Sequence, residues 1–377
     1  MLKAHKVRLN PNLEQRIYFA RSCGVARVAY NWALFQWEKQ YKEGGKPSEM
    51  ALRKELNAIK PIEFPWMLEV TKNAPQQAIK NLGTAYKNAF HRQKIGKKIG
   101  SDKNPFGFPR PKKKFTNDRF RADNGPTKKG LDAVPVDGKK IKLPKIGWVR
   151  MAESVRFNGQ IISVTISRQA DRWFAAISIE TKDISHCRKA ENTCGIDLGI
   201  KHLATLSDGS KIEGAKALKA LLKKKKRLQR ELNRREKGSK NRSKTRLKLA
   251  QLEARISNTR NDAHHKATTD IVLNNSVIAM EDLNVKGMVK NHKLARHLSD
   301  QAFGEFKRQI EYKSDWYGSK VAYVDRFFPS SKTCNACDHI KDDLKLSDRI
   351  FVCPACGHKA DRDVNAAQNI RDNAVMA

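Results

Sequence analysis

Four cysteines fall into two C-x2-C pairs, Cys334-Asn335-Ala336-Cys337 and Cys353-Pro354-Ala355-Cys356, separated by fifteen residues. No other feature constrains the local fold of this chain so tightly. Two such knuckles supply four thiolates, a set that suits tetrahedral Zn²⁺ with bonds of about 2.3 Å. All four coordination positions would be filled by protein, so one structural zinc is expected at Cys334, Cys337, Cys353 and Cys356. The other cysteines, Cys23, Cys187 and Cys194, read as packing or surface residues. Seven cysteines in all, with four packed into a C-terminal stretch, do not resemble a secreted disulfide framework and point to a reducing cytoplasm.

Charge narrows the partners. The 377 residues carry 76 Lys+Arg against 39 Asp+Glu, a formal net charge of +37. No window approaches the ~20 apolar residues of a membrane span, and the opening MLKAHKVRLN lacks the apolar core of a secretory leader. A chain this basic needs a polyanion. Nucleic acid is the first candidate, which suggests a nucleoid-associated protein, and an anionic membrane surface is the second. The excess is concentrated. Residues 80–114 hold eleven Lys/Arg and one acid; residues 216–260 hold eighteen Lys/Arg and three acids. Arg110, Lys112, Lys113 and Lys114 in the first stretch, and Lys223, Lys224 and Arg227 in the second, are candidate phosphate contacts. Tyr86, Phe90, Phe106 and Phe108 lie among the first set of cations and could stack on bases.

The hydrophobic pattern changes along the chain. Val7 and Leu9 alternate with polar residues, which reads as a strand. Asn12 with Gln15 forms a capping box before a helical stretch that runs to about Gly44, its apolar positions including Leu13, Ile17, Ala20, Val28, Trp32 and Trp37. Further helices are expected over 48–59 and 75–91. Between 140 and 181 the period falls to two, and Ala170-Asp171 separates two alternating runs, so a hairpin is expected there, in a small β domain able to recruit the N-terminal strand. Leu218, Leu222, Leu228 and Leu232, then Leu249, Leu252 and Ile256, recur at helical spacing around Gly238-Ser239. That is a helical hairpin with one thin apolar stripe and a wide basic face.

Acids at three places along the chain stand in unusual surroundings. Asp197 ends the apolar run Cys194-Gly195-Ile196, and Glu281 ends Val277-Ile278-Ala279-Met280. Asp361 and Asp363 follow the second cysteine pair. An acid at the end of a buried strand costs desolvation unless a cation or donor compensates it. Three converging carboxylates could hold two Mg²⁺ ions about 3.5–4 Å apart, a pair that activates water and stabilises a leaving 3′-oxygen. Residues two apart on a helix do not share a face, so only one of Asp361 and Asp363 should join the cluster. Asp361 suits a helix N-cap, which leaves Asp363.

The segments GIDLGIKHLATLSDG, IAMEDLN, FFPSSKTCNAC, CPACG and DRDVNAAQNI resemble, in that order, the transposon-encoded TnpB (OrfB) family, which is similar to the compact type V CRISPR effectors. The resemblance runs along nearly the whole chain and is most specific from Cys194 to Ile370. It implies an RNA-guided DNA endonuclease of α/β multidomain fold. Its parts would be an RNase H-like (RuvC) nuclease domain over 191–377, a β-barrel wedge domain split over 1–12 and 115–190, and a helical recognition lobe over 13–114 ending in a basic loop. Within the nuclease domain a basic helical hairpin (214–275) and a zinc ribbon (330–358) would be inserted. The family's catalytic carboxylates fall on Asp197, Glu281 and Asp363, with Mg²⁺ as the metal and Mn²⁺ able to replace it. Expected partners are a transposon-derived guide RNA and double-stranded target DNA carrying a short adjacent motif. No membrane and no small-molecule substrate are implied. Lys72, Asn73 and Gln76 resemble the helix start that faces the adjacent motif. Two features qualify the likeness. Asp338 replaces the family's usual Gly after the second zinc cysteine, a place where Asp tolerates left-handed backbone. His264, on a polar helix with Asn258, Arg260, Asp262 and Lys266, reads as a positioning residue, and His202 as packing or surface. Alternatives are a DNA transposase, for which no separate helix-turn-helix is visible, an RNA-guided DNA-binding repressor, which should have lost an acid, and a zinc-ribbon chaperone.

Overall fold

In the computed structural model the described residues are 1–125, 132–181, 192–345 and 348–376. The chain divides into two compact units, Met1–Asp183 and Ile184–Ala377. Cys187 lies outside the described residues. Among them, no helix is long and apolar enough to cross a membrane.

The first unit runs through strand β1 (Leu2–Leu9), helices α1 (Leu13–Lys42), α2 (Glu49–Glu63) and α3 (Asn73–Lys94), then strands β2 (Arg119–Asp123), β3 (Val136–Asp137), β4 (Lys140–Leu143), β5 (Gly147–Arg150), β6 (Gln160–Gln169) and β7 (Arg172–Glu180). β1 buries every second side chain and pairs antiparallel along β7, so the N-terminal strand is recruited into a four-stranded sheet of order β1-β7-β6-β2. β3, β4 and β5 form a second antiparallel sheet. The β6–β7 hairpin turns at Ala170-Asp171, with Ala170 in the left-handed region at φ +54°. The capping box at the start of α1 is complete: Asn12 Oδ1 accepts from Gln15 N at 2.8 Å and Gln15 Oε1 from Asn12 N at 3.1 Å.

The expected helix over 13–42 forms, but which of its faces is buried is not what its apolar positions alone suggest. Leu13, Ile17 and Ala20 do not face the core: Leu13 is 70% and Ile17 46% exposed, while Tyr18, Phe19, Cys23, Ala26, Tyr30 and Leu34 are buried. The aromatic and alanine stripe wins because Phe19 packs edge-on to Trp173 and against Phe120, across the sheet. The aromatics of the basic stretch are also largely spent inside the unit. Tyr86 stacks on Trp37 at 4.4 Å, and Phe108 packs on Phe90 at 5.3 Å. The breakers around Phe106 shape a turn, held by Asn104, whose Oδ1 accepts from Phe108 N and whose Nδ2 donates to Phe108 O.

The second unit holds a five-stranded sheet of order β10-β9-β8-β11-β12. Its strands are β8 (Asn192–Asp197), β9 (Ala204–Leu206), β10 (Lys211–Ile212), β11 (Asn275–Glu281) and β12 (Lys320–Val324). β8, β11 and β12 are parallel, and the β8–β9–β10 meander is antiparallel. Helices α4 (Ala217–Arg234) and α5 (Lys240–Asn274) form the basic hairpin between β10 and β11. They pack on each other through Leu228, Leu252 and Ile256, the thin stripe read from the sequence. Short helices α6 (Val285–Met288) and α7 (Ala295–Gln301) lead into α8 (Phe303–Tyr317). A small hairpin of β13 (Ile350–Val352) and β14 (Lys359–Asp361) carries the second cysteine pair, and α9 (Arg362–Met376) follows.

Gly195 fixes how close α9 comes to the sheet. A Cβ there would sit 2.0 Å from the Ala367 carbonyl oxygen and 2.6 Å from the Arg371 amide nitrogen. The helix backbone therefore crosses β8 directly above this residue, and no side chain fits between them. Gly195→Ala should lower the unfolding midpoint of the second unit, with overpacking costing about 1–3 kcal/mol, when followed by thermal denaturation of the purified protein.

Candidate catalytic and zinc sites

Parallel pairing brings the first two acids together. Ile196 is opposite Met280, so Asp197 and Glu281 are the next residues along the adjacent strands β8 and β11, at their carboxyl ends. This edge is where open α/β sheets present their ligands. The third acid arrives from α9. Asp363 precedes by one helical turn Ala367, the residue that lies over Gly195, so both share the face turned to β8.

Asp197 feels both its burial and its neighbours' charges. Burial, then the neighbouring charges of Glu281 and Asp363, push the Asp197 carboxyl up to about 7, while Arg362 pulls it the other way. The other two acids are oriented by donors. The Ser330 hydroxyl donates to Glu281 Oε1 at 2.6 Å, and Arg362 Nη2 donates to Asp363 Oδ1 at 2.9 Å. Asp361 has a different role. Its Oδ1 accepts from the backbone amides of Asp363 and Val364 at 3.0 and 3.2 Å, and its Oδ2 pairs with Lys211 at 2.6 Å. It caps α9, as its sequence position suggests.

Beside these acids lies a pair of cations that the sequence reading did not single out. Lys307 Nζ reaches Asp282 Oδ1 at 3.0 Å, and Arg326 binds both the carboxylate and the carbonyl of Asp282. No pattern in the sequence marks this cluster, because its members come from the residue just after β11, from α8 and from the loop after β12.

The four cysteine sulfurs lie within 4.8 Å of one another, and among the described residues this is the one group of metal-ligating side chains gathered so tightly. Cys334 Sγ is 3.7 Å from Cys356 Sγ, and Cys337 Sγ is 3.6 Å from Cys353 Sγ. A tetrahedron built on ~2.3 Å zinc–sulfur bonds has edges of about 3.8 Å, so the sulfur set fits zinc. The two knuckles match in detail. Cys334 N donates to His339 O and Cys353 N to His358 O, both at 2.9 Å. Asp338 (φ +56°) and Gly357 (φ +74°) occupy the same left-handed position. The first knuckle thus keeps its geometry with Asp in place of Gly.

Buried amides join this cluster to α9. Asn365 Nδ2 donates to Thr333 O, and Asn369 Nδ2 to the carbonyls of Ser330 and Thr333, all at 2.7 Å. Asn365 Oδ1 accepts from Asn335 N at 3.1 Å. The segment 330–335 is therefore fastened to the helix that carries Asp363.

The expected nucleic-acid contacts are scattered between exposed and engaged positions. Lys72 is exposed and, with Asn73, Lys60 and Lys145, lines a hollow of about 470 Å³. Gln76 is half-buried, and its neighbour Gln77 turns inward to Asp123. Arg110, Lys113 and Lys114 are exposed, as are Lys223, Lys224 and Arg227 on α4. Lys112 lies 3.6 Å above the Tyr30 ring, and its burial, reinforced by Arg119, lowers its pKa to about 8. His264 is buried edge-on to Phe306, and His202 pairs with Glu213 at 2.6 Å. Cys23 and Cys194 are buried.

Comparison with known proteins places the chain in a family. A model described as "Probable transposase" (OrfB_IS605) matches residues 176–292, and one described as "Cas12f1-like, TNB domain" matches 303–370. A third, described as a helix-turn-helix domain, matches residues 1–46, where the structure has one strand and a single unbroken helix. The chain is 35% identical to the "Putative RNA-guided DNA endonuclease" of Streptomyces pristinaespiralis, over 98% of this chain and 88% of that protein. It is 32% identical to the "Putative RNA-guided DNA endonuclease InsQ" of Escherichia coli (strain K12), over 100% and 94% of the two chains. Among solved structures, a Cas12f1–sgRNA–target DNA complex aligns over 99% of both chains, at 18% identity and a TM-score of 0.36. With its motifs in order and a relative matched from end to end, the chain belongs to the TnpB (OrfB) family.

Proposed function

We propose that this protein is an RNA-guided DNA endonuclease in which Asp197, Glu281 and Asp363 bind the metal ions that cleave DNA phosphodiesters. The observation that carries this reading is the gathering of the three acids at one sheet edge, where burial and then the charges of Glu281 and Asp363 raise the Asp197 carboxyl to about 7. Such a cluster of like charges calls for cations, and three carboxylates offer the hard oxygen donors that Mg²⁺ or Mn²⁺ prefers. When bound, Mg²⁺ would activate a water and stabilise the departing 3′-oxygen. The chain's own residues aim the ligands: Ser330 fixes one oxygen of Glu281, and Arg362 fixes one of Asp363. The five-stranded sheet is read as an RNase H-like core, the four sulfurs as a structural Zn²⁺ site, the sheets of the first unit as the wedge barrel and α1–α3 as the recognition lobe. Guide RNA specifies the target by base pairing, and Lys72, Asn73 and Gln76 read the short adjacent motif. All three acids are present, which favours a nuclease over a binding-only repressor.

Changing the guide segment should move the cut to a new sequence with no change in the protein, and RNA-free protein should not cut site-specifically. Asp197→Ala, Glu281→Ala and Asp363→Ala should each abolish cleavage while target binding by the guide complex persists. Asp361→Ala should retain activity and lose about 1 kcal/mol as a missing cap. These outcomes are read by gel cleavage and filter binding.

The Asp197 carboxyl also sets a pH dependence. Its pKa rises from 3.8 to about 7 on folding, so its contribution to stability is present below about pH 4 and lost as the pH rises through 7. Asp197 would have to give up that proton to hold Mg²⁺. The Mg²⁺-induced rise in melting midpoint should therefore be larger at pH 8 than at pH 6, and Asp197→Asn should flatten the pH dependence of the metal-free protein, both read by differential scanning fluorimetry.

Cys353→Ser should remove the zinc, about one ion per chain by metal analysis, and should impair cleavage by loosening the asparagine contacts to α9. Full activity without zinc would refute that link.

A further inference from the structure

Phe327 is 87% exposed, more than any other large apolar side chain among the described residues. It is not on a loose loop. Its amide donates to Asp325 Oδ1 at 2.8 Å, and the Phe328 amide to Asp325 O at 3.1 Å. Arg326, just before it, is tied to Asp282; Ser330, three residues after it, is tied to Glu281. Phe328 packs into the cluster of Ala279, Val324 and Ile370 beneath. Both ends of this turn are thus anchored to the acidic end of β11, and the ring between them is held out in water.

The turn leaves β12 directly after Val324, which pairs with Glu281 in the parallel register. Phe327 therefore stands at the carboxyl edge of the sheet, where the acids converge. A phenyl ring held there gains by covering a flat apolar face, and the flat apolar faces of a DNA strand are its bases. In a paired duplex those faces are covered by neighbouring bases, so the ring suits an unpaired strand.

We propose that Phe327 stacks on a base of the single DNA strand entering the nuclease site, so that the scissile phosphate is presented to Asp197, Glu281 and Asp363. This rests on the nuclease reading above. The interaction is sequence-tolerant because every base offers a π-face, as a guide-directed enzyme requires.

The test uses the guide-loaded complex with Phe327→Ala, Phe327→Leu and Phe327→Tyr. Phe327→Ala should slow single-turnover cleavage on the order of tenfold, the range of one lost base–aromatic stack. Phe327→Tyr should restore the rate and Phe327→Leu should not. An abasic nucleotide moved along the cut strand should, at one position, slow the parent by a similar factor and leave Phe327→Ala no slower. 2-Aminopurine at that position, read without added Mg²⁺, should be dim with the parent and bright with Phe327→Ala. Parent-like cutting by Phe327→Ala, equal rescue by leucine, or no abasic position where the two defects coincide would overturn the proposal. A parent complex that does not cut at all would refute the nuclease reading, and scanning 2-aminopurine along the strand would still decide whether the ring stacks.

Discussion

Asp197 and Glu281 occupy adjacent parallel strands at the same level, and α9 delivers Asp363 beside them. Burial first, and then the repulsion among these charges, raise the Asp197 carboxyl to about 7. A protein optimised only for its fold would not gather them. Much of the second unit serves to hold them together: the glycine that lets α9 rest on β8, the Ser330 hydroxyl on Glu281, and the Arg362 guanidinium on Asp363. On the proposed reading, cations bound between these acids would offset that repulsion, so affinity for metal and repulsion among the acids would have the same origin.

The cysteine cluster matters here because it lies next to Ser330 in sequence and next to α9 in space. Segment 330–337 touches Glu281 through Ser330, α9 through Asn335, Asn365 and Asn369, and the sulfur cluster through Cys334 and Cys337. Asn365 and Asn369, four apart, present their amides on one helix face to the carbonyls of that segment. Those carbonyls are buried and would be orphaned without them. A single polar ladder therefore connects the sulfur cluster to two of the three acids.

Local signals proved the most readable in the sequence. The capping box at Asn12, the hairpin turn at Ala170-Asp171, the cysteine knuckles and the cap at Asp361 all depend on residues within a few positions of one another. The stripe on the basic hairpin was legible because α4 and α5 pack mainly on each other. The face of α1 was not. Leu13 and Ile17 are more apolar than Tyr18 or Ser22, yet the sheet formed by β1, β6, β7 and β2 selects the aromatic side of the helix, and no periodicity within α1 reports that choice. The role of Tyr86 and Phe108 was misjudged for the same reason: their partners Trp37 and Phe90 lie on two different helices. The Asp282–Lys307–Arg326 cluster gave no signal because ion pairs across three elements leave no spacing rule in the chain.

The charge distribution separates two tasks that a single basic surface would confuse. Residues 216–260 place eighteen cations and three acids on a hairpin whose apolar contacts are few. Such a face binds phosphate regardless of sequence and weakens steeply with salt, so it can grip a backbone but cannot select a target. At the carboxyl edge of the five-stranded sheet the sign is reversed: acids converge, and the nearby cations Lys307 and Arg326 are already paired with Asp282. On the proposed reading, this edge would repel a DNA phosphate in the absence of metal. If the hairpin holds nucleic acid as proposed, the protein would remain catalytically silent until strand and metal arrive together. That division lets +37 of net charge coexist with a cut confined to one place.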